Sequence, residues 1–257
     1  MVKPLSSEEL VKMREACRIA AEVLDRTCKF VEEGVTTYDI DQFAKRTMAE
    51  LGCTSPCINY KPASNIPAFP RYICVSVNEE VIHGIGTLNR VIRDGDIVSL
   101  DVVTAYNGFV GDNTRTVRVG NVPADVRKLC EVTEGALYAG ISAARAGNRV
   151  SDISRAVERF VKPHGYGIVR EFCGHGVGRS MHEEPQVPNY YSRGEGKMKL
   201  RPGMTLAIEP MICLGSRFVK TEADGWTITT RDGKPAAHYE HTILVTEGDP
   251  EVLTVLS

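Results

Sequence analysis

The 257-residue sequence lacks any apolar run long enough to span a bilayer, and its first nine residues lack the apolar segment of a signal peptide. It also lacks an excess of charge of either sign, because 31 basic residues face 33 acidic ones and the formal net charge is -2. These absences predict a cytoplasmic protein, with neither a membrane nor a specific nucleic acid as its partner.

Paired cysteines are missing as well. The eight cysteines include no Cys-x-x-Cys pair, which argues against a disulfide framework and against a thiolate zinc site. We expect most of them to be reduced and buried. With 42% apolar and 25% charged residues, the composition is typical of a globular chain with a sizeable core.

Two acids stand on one predicted β-hairpin. Asn107 and Gly108 form the dipeptide that a type I′ turn prefers, and apolar, β-branched runs flank it. This turn would place Asp112 opposite Val103 and Asp101 diagonally from Asp112, at about 7–8 Å. Both carboxylates would then project from one face and could hold a metal ion. The alternative is that both face water.

Helical periodicity predicts two helices near the start of each half of the chain. Ser6 and Glu9 form a capping box at the start of the first helix, which should end near Gly34. The helices are expected near 6–34, 36–52, 123–147 and 152–162, strands over 72–77 and 168–172, and a loop over the Pro-rich stretch 53–71.

The two halves, approximately 1–120 and 121–257, also repeat at the level of residues. Residues of the first half, shifted along the sequence by a constant number of positions, coincide with residues of the same or similar type in the second half, at matching points of the predicted elements. We therefore predict a duplicated α+β unit whose pseudo-two-fold axis brings two acids together, within one catalytic domain over 1–257. The aligned residues are Gly34, Asp39, Gly52 and Asp101 in the first half and Gly147, Asp152, Gly165 and Glu209 in the second.

The second half supplies further candidate ligands. Glu209 and Glu240 stand on apolar predicted strands, and His175 lies among glycines. The Gly-x-Gly-x-Gly run is a weak nucleotide-loop signal, because no helix or ribose-binding acid completes that pattern. One histidine and four carboxylates instead suit two divalent ions of the manganese, iron, cobalt or zinc kind, which activate water for hydrolysis.

Longer motifs extend this set across both halves. The motifs are GHGVG (174–178), MHEEPQVP (181–188), IEPM (208–211), DGW (224–226) and YEHT (239–242). Together with Asp101 and Asp112 they closely resemble the short bacterial form of type I methionine aminopeptidase. The resemblance implies the pita-bread fold, an α+β duplication with a central antiparallel sheet and pseudo-two-fold symmetry.

The resemblance implies five ligands for two divalent ions, whether cobalt, manganese, iron, zinc or nickel. Asp101 would bind one ion and His175 the other. Asp112 and Glu240 would bridge them, and Glu209 would also bind metal.

It also implies catalytic and substrate-binding roles. Glu209 would take a proton from the attacking water, His182 would stabilise the oxyanion, and His83 would contact the scissile peptide. Without the resemblance, each of these histidines reads as a hydrogen-bonded loop residue. The substrate-binding residues would be His83, His182, Cys57, Tyr60, Cys74, Met181 and Trp226.

Two departures from the resembled family concern the pocket. Met181 stands where phenylalanine is usual, and the loop from Cys57 to Cys74 is about six residues longer than the commonest bacterial form, a length that loops tolerate. We expect the extra residues, within 61–70, to reshape the pocket rim. Trp226 has the alternative of being an ordinary core residue.

The implied activity is removal of the initiator methionine from peptides and nascent chains with a small second residue. The ribosome is a further candidate partner, and the protein is expected to be a monomer. One alternative is a proline-specific aminopeptidase or prolidase, which usually carries an additional N-terminal domain. The other is a non-catalytic pita-bread binding protein, in which the metal ligands would have decayed.

Overall fold

The computed structural model describes residues 3–256. The predicted capping box is confirmed, since the Ser6 N–H donates to Glu9 Oε2 at 2.7 Å and the Glu9 N–H donates to Ser6 Oγ at 3.3 Å. The prediction that the first helix ends near Gly34 was wrong. The backbone becomes extended at Val31, and the residues after it form backbone hydrogen bonds with Ile92. The α-helices are α1 (Ser7–Phe30), α2 (Thr37–Glu50), α3 (Ala124–Ala143) and α4 (Val150–Val161).

The strands form one eight-stranded antiparallel sheet and two three-stranded sheets. The main sheet has the order β1-β3-β4-β13-β8-β6-β7, with β14 paired to β13, and the small sheets have the orders β10-β11-β2 and β12-β9-β5. The strands are β1 (Cys74–Val77), β2 (Glu80–Ile82), β3 (Ile97–Tyr106), β4 (Phe109–Arg118), β5 (Gly167–Ile168), β6 (Gly174–Gly176), β7 (Glu183–Val187), β8 (Thr205–Ile208), β9 (Met211–Cys213), β10 (Val219–Thr221), β11 (Ile228–Thr230), β12 (Ala236–His238), β13 (Glu240–Leu244) and β14 (Glu251–Val252).

The predicted hairpin and its register are confirmed. Asn107 and Gly108 have φ values of 48° and 80°, as a type I′ turn requires, and Val103 pairs with Asp112. Asp101 pairs with Thr114, so the two aspartates stand diagonally on one face. The turn therefore positions both acids.

The duplication is visible in matching backbone hydrogen bonds. The Gly34 N–H donates to the Ile92 carbonyl at 2.9 Å, and the Gly147 N–H donates to the Leu200 carbonyl at 3.0 Å. In the reverse direction the Ile92 and Leu200 N–H groups each donate across 2.8 Å to residues just after these glycines. Both glycines have a positive φ, 96° and 87°, which a residue with a side chain adopts only with strain. The same local structure has therefore been built twice.

Helices cover one face of the main sheet. In the first half, Ile40 of α2 packs in one cluster with Leu100, and in the second half Ile153 of α4 packs with Leu206. Because side chains alternate across a strand, the neighbour Asp101 faces the other side of the sheet. That side carries the candidate site. Within residues 3–256, no helix is both long enough and apolar enough to cross a membrane.

Candidate active site

Five predicted metal ligands converge at the centre of the main sheet. Asp101 and Asp112 come from the hairpin, Glu240 begins β13 beside it, and His175 lies on β6. Glu209 directly follows β8. Single donor atoms of Asp112, His175 and Glu240 all lie within 4.8 Å of one another, whereas Asp101 and Glu209 lie outside that tightest group.

His175 presents a free ring nitrogen to these acids. Its Nδ1 lies 2.9 Å from the Gly176 carbonyl, which accepts only from a protonated nitrogen, so Nε2 carries the lone pair. Nε2 lies 3.4 Å from Glu209 Oε1 and 3.8 Å from Asp112 Oδ2. Burial lowers the pKa of His175 to about 4, so the ring is neutral. A lone pair on Nε2 that points between carboxylates is the geometry of a metal-binding histidine.

The carboxylates are buried and strongly coupled. Burial, and next the charge of Glu240, hold the pKa of Asp112 well above its ordinary range, and burial and then Glu209 do the same for Glu240. Thr114 Oγ1 donates to Glu240 Oε2 at 2.8 Å, but Glu240 Oε1 and Asp101 Oδ1 are buried and have no hydrogen-bond partner within residues 3–256. Such orphaned oxygens are costly unless a cation or a proton satisfies them.

The donor set fits divalent metal ions. Carboxylate oxygens with one or two imidazole nitrogens suit manganese, iron, cobalt or zinc. The nearby thiols of Cys57 and Cys74 do not compete, because burial, and next the charge of Asp101, raise the pKa of each thiol well above its ordinary value. They therefore contribute apolar lining rather than thiolate ligands.

A cavity of about 670 Å³ opens onto these acids. His83 and His182 stand on its walls, and the ring centroids of His182 and His175 are 4.6 Å apart. Tyr60 Oη lies 3.2 Å from His182 Nδ1. With the tyrosine as donor, the proton of a neutral His182 stays on Nε2, which can then donate to a substrate oxygen.

His83 is held in an unusual backbone conformation. Its φ of 58° lies in the left-handed region that non-glycine residues rarely adopt. The ring lies edge-on to Trp226 and to Phe172, at centroid distances of 6.0 Å and 5.6 Å. Strain of this kind is maintained by the surrounding structure and clusters at functional sites.

The loop over residues 61–68 forms part of the cavity wall. Its base is closed by the Asn59 N–H donating to the Phe69 carbonyl at 2.8 Å, and the Trp226 Nε1–H donates to the Pro67 carbonyl at 2.8 Å. Gly225 lets Pro67 approach, since a Cβ at Gly225 would meet its ring at 3.2 Å. The lining includes the predicted pocket residues Cys57, Tyr60, Cys74, Met181 and Trp226, together with Pro62 and Ile66 from this loop.

Sequence reasoning missed several residues of the site. His238 is buried, and its Nε2 lies 3.4 Å from Glu209 Oε2. The signal was its spacing of two from Glu240, which places both side chains on one side of an extended chain. Phe172 and Cys173 also line the cavity. The strand expected over 168–172 was wrong, because β5 ends at Ile168 and the chain then turns towards the cavity.

Buried acids and histidines around an apolar cavity define a metal-dependent hydrolase. Residues 11–247 match metallopeptidase family M24. The chain is 46% identical over 252 residues to methionine aminopeptidase 1 of Bacillus subtilis, covering 96% of each chain. It is 42% identical over 247 residues to the methionine aminopeptidase of Clostridium acetobutylicum, again covering 96% of each.

Solved structures support the same family and fold. The crystal structure of methionine aminopeptidase from Rickettsia prowazekii superposes with a TM-score of 0.93 at 36% identity, covering 99% of this chain and all (100%) of that one. A prolidase from Pyrococcus horikoshii shares the fold alone, at 22% identity and a TM-score of 0.77. The chain belongs to metallopeptidase family M24, and the predicted pita-bread α+β fold is confirmed.

Proposed function

We propose that this metallopeptidase removes the N-terminal methionine from peptides and nascent chains whose second residue is small. The observation that carries the proposal is the cluster of buried acids and His175 at the floor of a cavity lined by thiols, Met181 and aromatic rings. Such a soft apolar lining suits a thioether side chain. The names of the relatives, at 42–46% identity over nearly the full length, support the same activity.

Asp101, Asp112, His175, Glu209 and Glu240 would hold two divalent ions. When bound, the ions would supply Lewis acidity, which polarises the scissile carbonyl and lowers the pKa of the attacking water. The free α-amine of the substrate would also bind among these charged groups. This requirement would restrict cleavage to the N-terminal residue.

The remaining steps fall to side chains. Glu209 would take the proton of the attacking water and deliver it to the leaving amine. His182, with its proton on Nε2, would donate to the developing oxyanion, and His83 would hold the scissile peptide from the opposite wall. The methionine side chain would lie between Tyr60 and Trp226.

A peptide assay tests the proposal. Chelator-treated protein should be inactive and should regain activity with at least one of manganese, iron(II), cobalt, zinc or nickel. The loaded enzyme should release methionine from Met-Ala and Met-Gly peptides and spare Met-Lys and Met-Leu peptides, because a narrow second subsite rejects large side chains. Equal release from both sets would contradict the specificity.

The same assay separates the alternatives. Cleavage of Ala-Pro peptides in preference to Met-Ala peptides would indicate a proline-specific enzyme, and no turnover with any metal would indicate a binding protein. Because the substrates are nascent chains, a cytoplasmic location and contact with the ribosome belong to the proposal, as does a monomeric state. Cosedimentation with ribosomes and light scattering would test the last two.

A further inference from the structure

His238 is a buried histidine that the proposed mechanism does not use. It ends β12, in the small sheet beside the site, and is 2% exposed. Neither ring nitrogen has a hydrogen-bond partner within residues 3–256. Leaving a buried imidazole unsatisfied costs about 1–3 kcal/mol, so a ring that only filled space would be replaced at a gain by an apolar side chain.

The backbone of His238 is fixed firmly to the hairpin that carries the aspartates. Its N–H donates to Thr116 Oγ1 at 3.0 Å, and Thr116 Oγ1 donates to its carbonyl at 2.8 Å. Since the threonine has a single hydroxyl proton, Ser99 Oγ must be the donor in its 2.8 Å contact with Thr116. These two hydrogen bonds hold the backbone of His238 against β4 and so restrict the directions in which its ring can point.

The ring points at Glu209. Nε2 lies 3.4 Å from Oε2, longer than a good hydrogen bond, while the other oxygen, Oε1, lies 3.4 Å from His175 Nε2. The two imidazoles therefore flank one carboxylate. On His175 the nitrogen that faces the carboxylate bears the lone pair, because Nδ1 is committed to a carbonyl.

We propose that His238 is a positioning residue for Glu209: its Nε2–H donates to Oε2 and keeps Oε1 turned towards the cations. The proposal rests on the proposed function only for the role of Glu209. An ionised carboxylate repels a lone pair and attracts an N–H, so the proton belongs on the nitrogen that faces it.

A role as a further metal ligand is the competing assignment for the same ring. The tightest group of potential ligand atoms contains Asp112, His175 and Glu240 but neither His238 nor the proposed ligands Asp101 and Glu209, so this grouping alone does not separate the two assignments. The positioning role and the ligand role predict opposite protonation of Nε2, which makes them separable.

Two variants and a control test the proposal. His238→Leu removes the donor, and His238→Gln restores an N–H donor without an imidazole. His241→Leu is the matched control, because this partly buried histidine lies on the next strand along the chain, β13, and contacts Thr254 and Tyr138 rather than the acids. Metal-free proteins are titrated with cobalt(II), followed by calorimetry and by visible absorption, and kcat and KM are measured with a Met-Ala peptide.

For His238→Leu we expect about 10–100-fold weaker cobalt binding, the usual effect of losing a partner of a metal ligand. We also expect a fall in kcat with little change in KM, whereas His238→Gln and His241→Leu should stay close to the parent. Wild-type cobalt affinity and kcat in His238→Leu would overturn the proposal. So would His238→Gln being as impaired as His238→Leu, since the ring and not the donor would then be needed.

A measurement on the unmodified protein guards against misfolding of the variants. Nitrogen-15 spectra of the histidine rings, with His238 assigned through His238→Gln, should show a proton on Nε2 both before and after zinc is added. A shift of that nitrogen to the metal-bound range would overturn the proposal. Because the cobalt and zinc readouts need no turnover, they decide this inference even if the peptidase assay fails.

Discussion

The bond between Trp226 and the 61–68 loop leads to a quantitative prediction. Trp226→Phe keeps a ring against Phe69, whose centroid lies 5.2 Å away, but removes the donor to the Pro67 carbonyl. Pro67 is exposed, so water can take over its carbonyl and the loss is the net value of one hydrogen bond, about 1 kcal/mol. That corresponds to about a fivefold shift towards the open loop.

Hydrogen exchange measures that opening directly. The Phe69 N–H donates to the Tyr60 carbonyl at 2.9 Å and the Asn59 N–H donates to the Phe69 carbonyl at 2.8 Å, so both amides exchange when the loop opens. Their protection should fall about fivefold in Trp226→Phe. Amides of β3 in the main sheet serve as the internal control and should not change.

The loop also contacts substrate, so KM for a Met-Ala peptide should rise by up to about the same factor while kcat changes little. Proteinase K should nick the variant faster within 61–68, as mass spectrometry can locate. Unchanged protection of both amides would refute the reasoning, because Trp226 would then line the cavity without holding the loop. A fall in β3 protection as well would mean that the substitution had destabilised the whole fold.

Three further predictions concern the acids and their neighbours. Glu209→Gln should lose about 100-fold or more in methionine release, as expected for a general base, and a wild-type rate would remove that role. Tyr60→Phe should lower kcat about fivefold, because His182 loses its 3.2 Å contact, while cobalt affinity stays the same; an unchanged kcat would contradict the assignment. The raised pKa values of Asp112 and Glu240 mean that the metal-free folded state binds more protons on these groups than the unfolded chain does, so their contribution to stability should be lost as pH rises from the ordinary carboxyl pKa values of 3.8 and 4.5 through the raised ones. Bound manganese should make the melting temperature depend less steeply on pH. Cysteine titration contributes equally with and without metal, so an equal pH dependence in the two forms would contradict the role of the coupled acids.

Sequence reasoning predicted the parts that short-range chemistry determines. The hairpin register followed from Asn107 and Gly108, and the start of α1 followed from its capping box. The duplication was found because both halves need glycine at the same left-handed positions. The prediction that 1–257 forms one domain stays a prediction, which a single cooperative transition in calorimetry would support.

The missed parts depend on contacts between distant segments. His238 reaches Glu209 only because β12 pairs with β9 and Thr116 clamps it to β4. The 61–68 loop has no periodicity that could reveal its path, and its docking depends on Trp226, far along the chain. The end of α1 at Phe30 likewise follows from pairing with the segment around Ile92.

The duplication explains why the site combines symmetric and asymmetric parts. Asp101, within β3, and Glu209, directly after β8, occupy equivalent positions in the repeat, so two acids meet because one unit was built twice. Catalysis needs differences between the halves. The second half contributes His175, the proposed metal ligand, and His238, the proposed positioning residue, whereas the first half contributes the 61–68 loop that lines the cavity. Substitutions of these two histidines should therefore alter metal affinity and kcat first, and substitutions in the loop should alter KM and the choice of peptide.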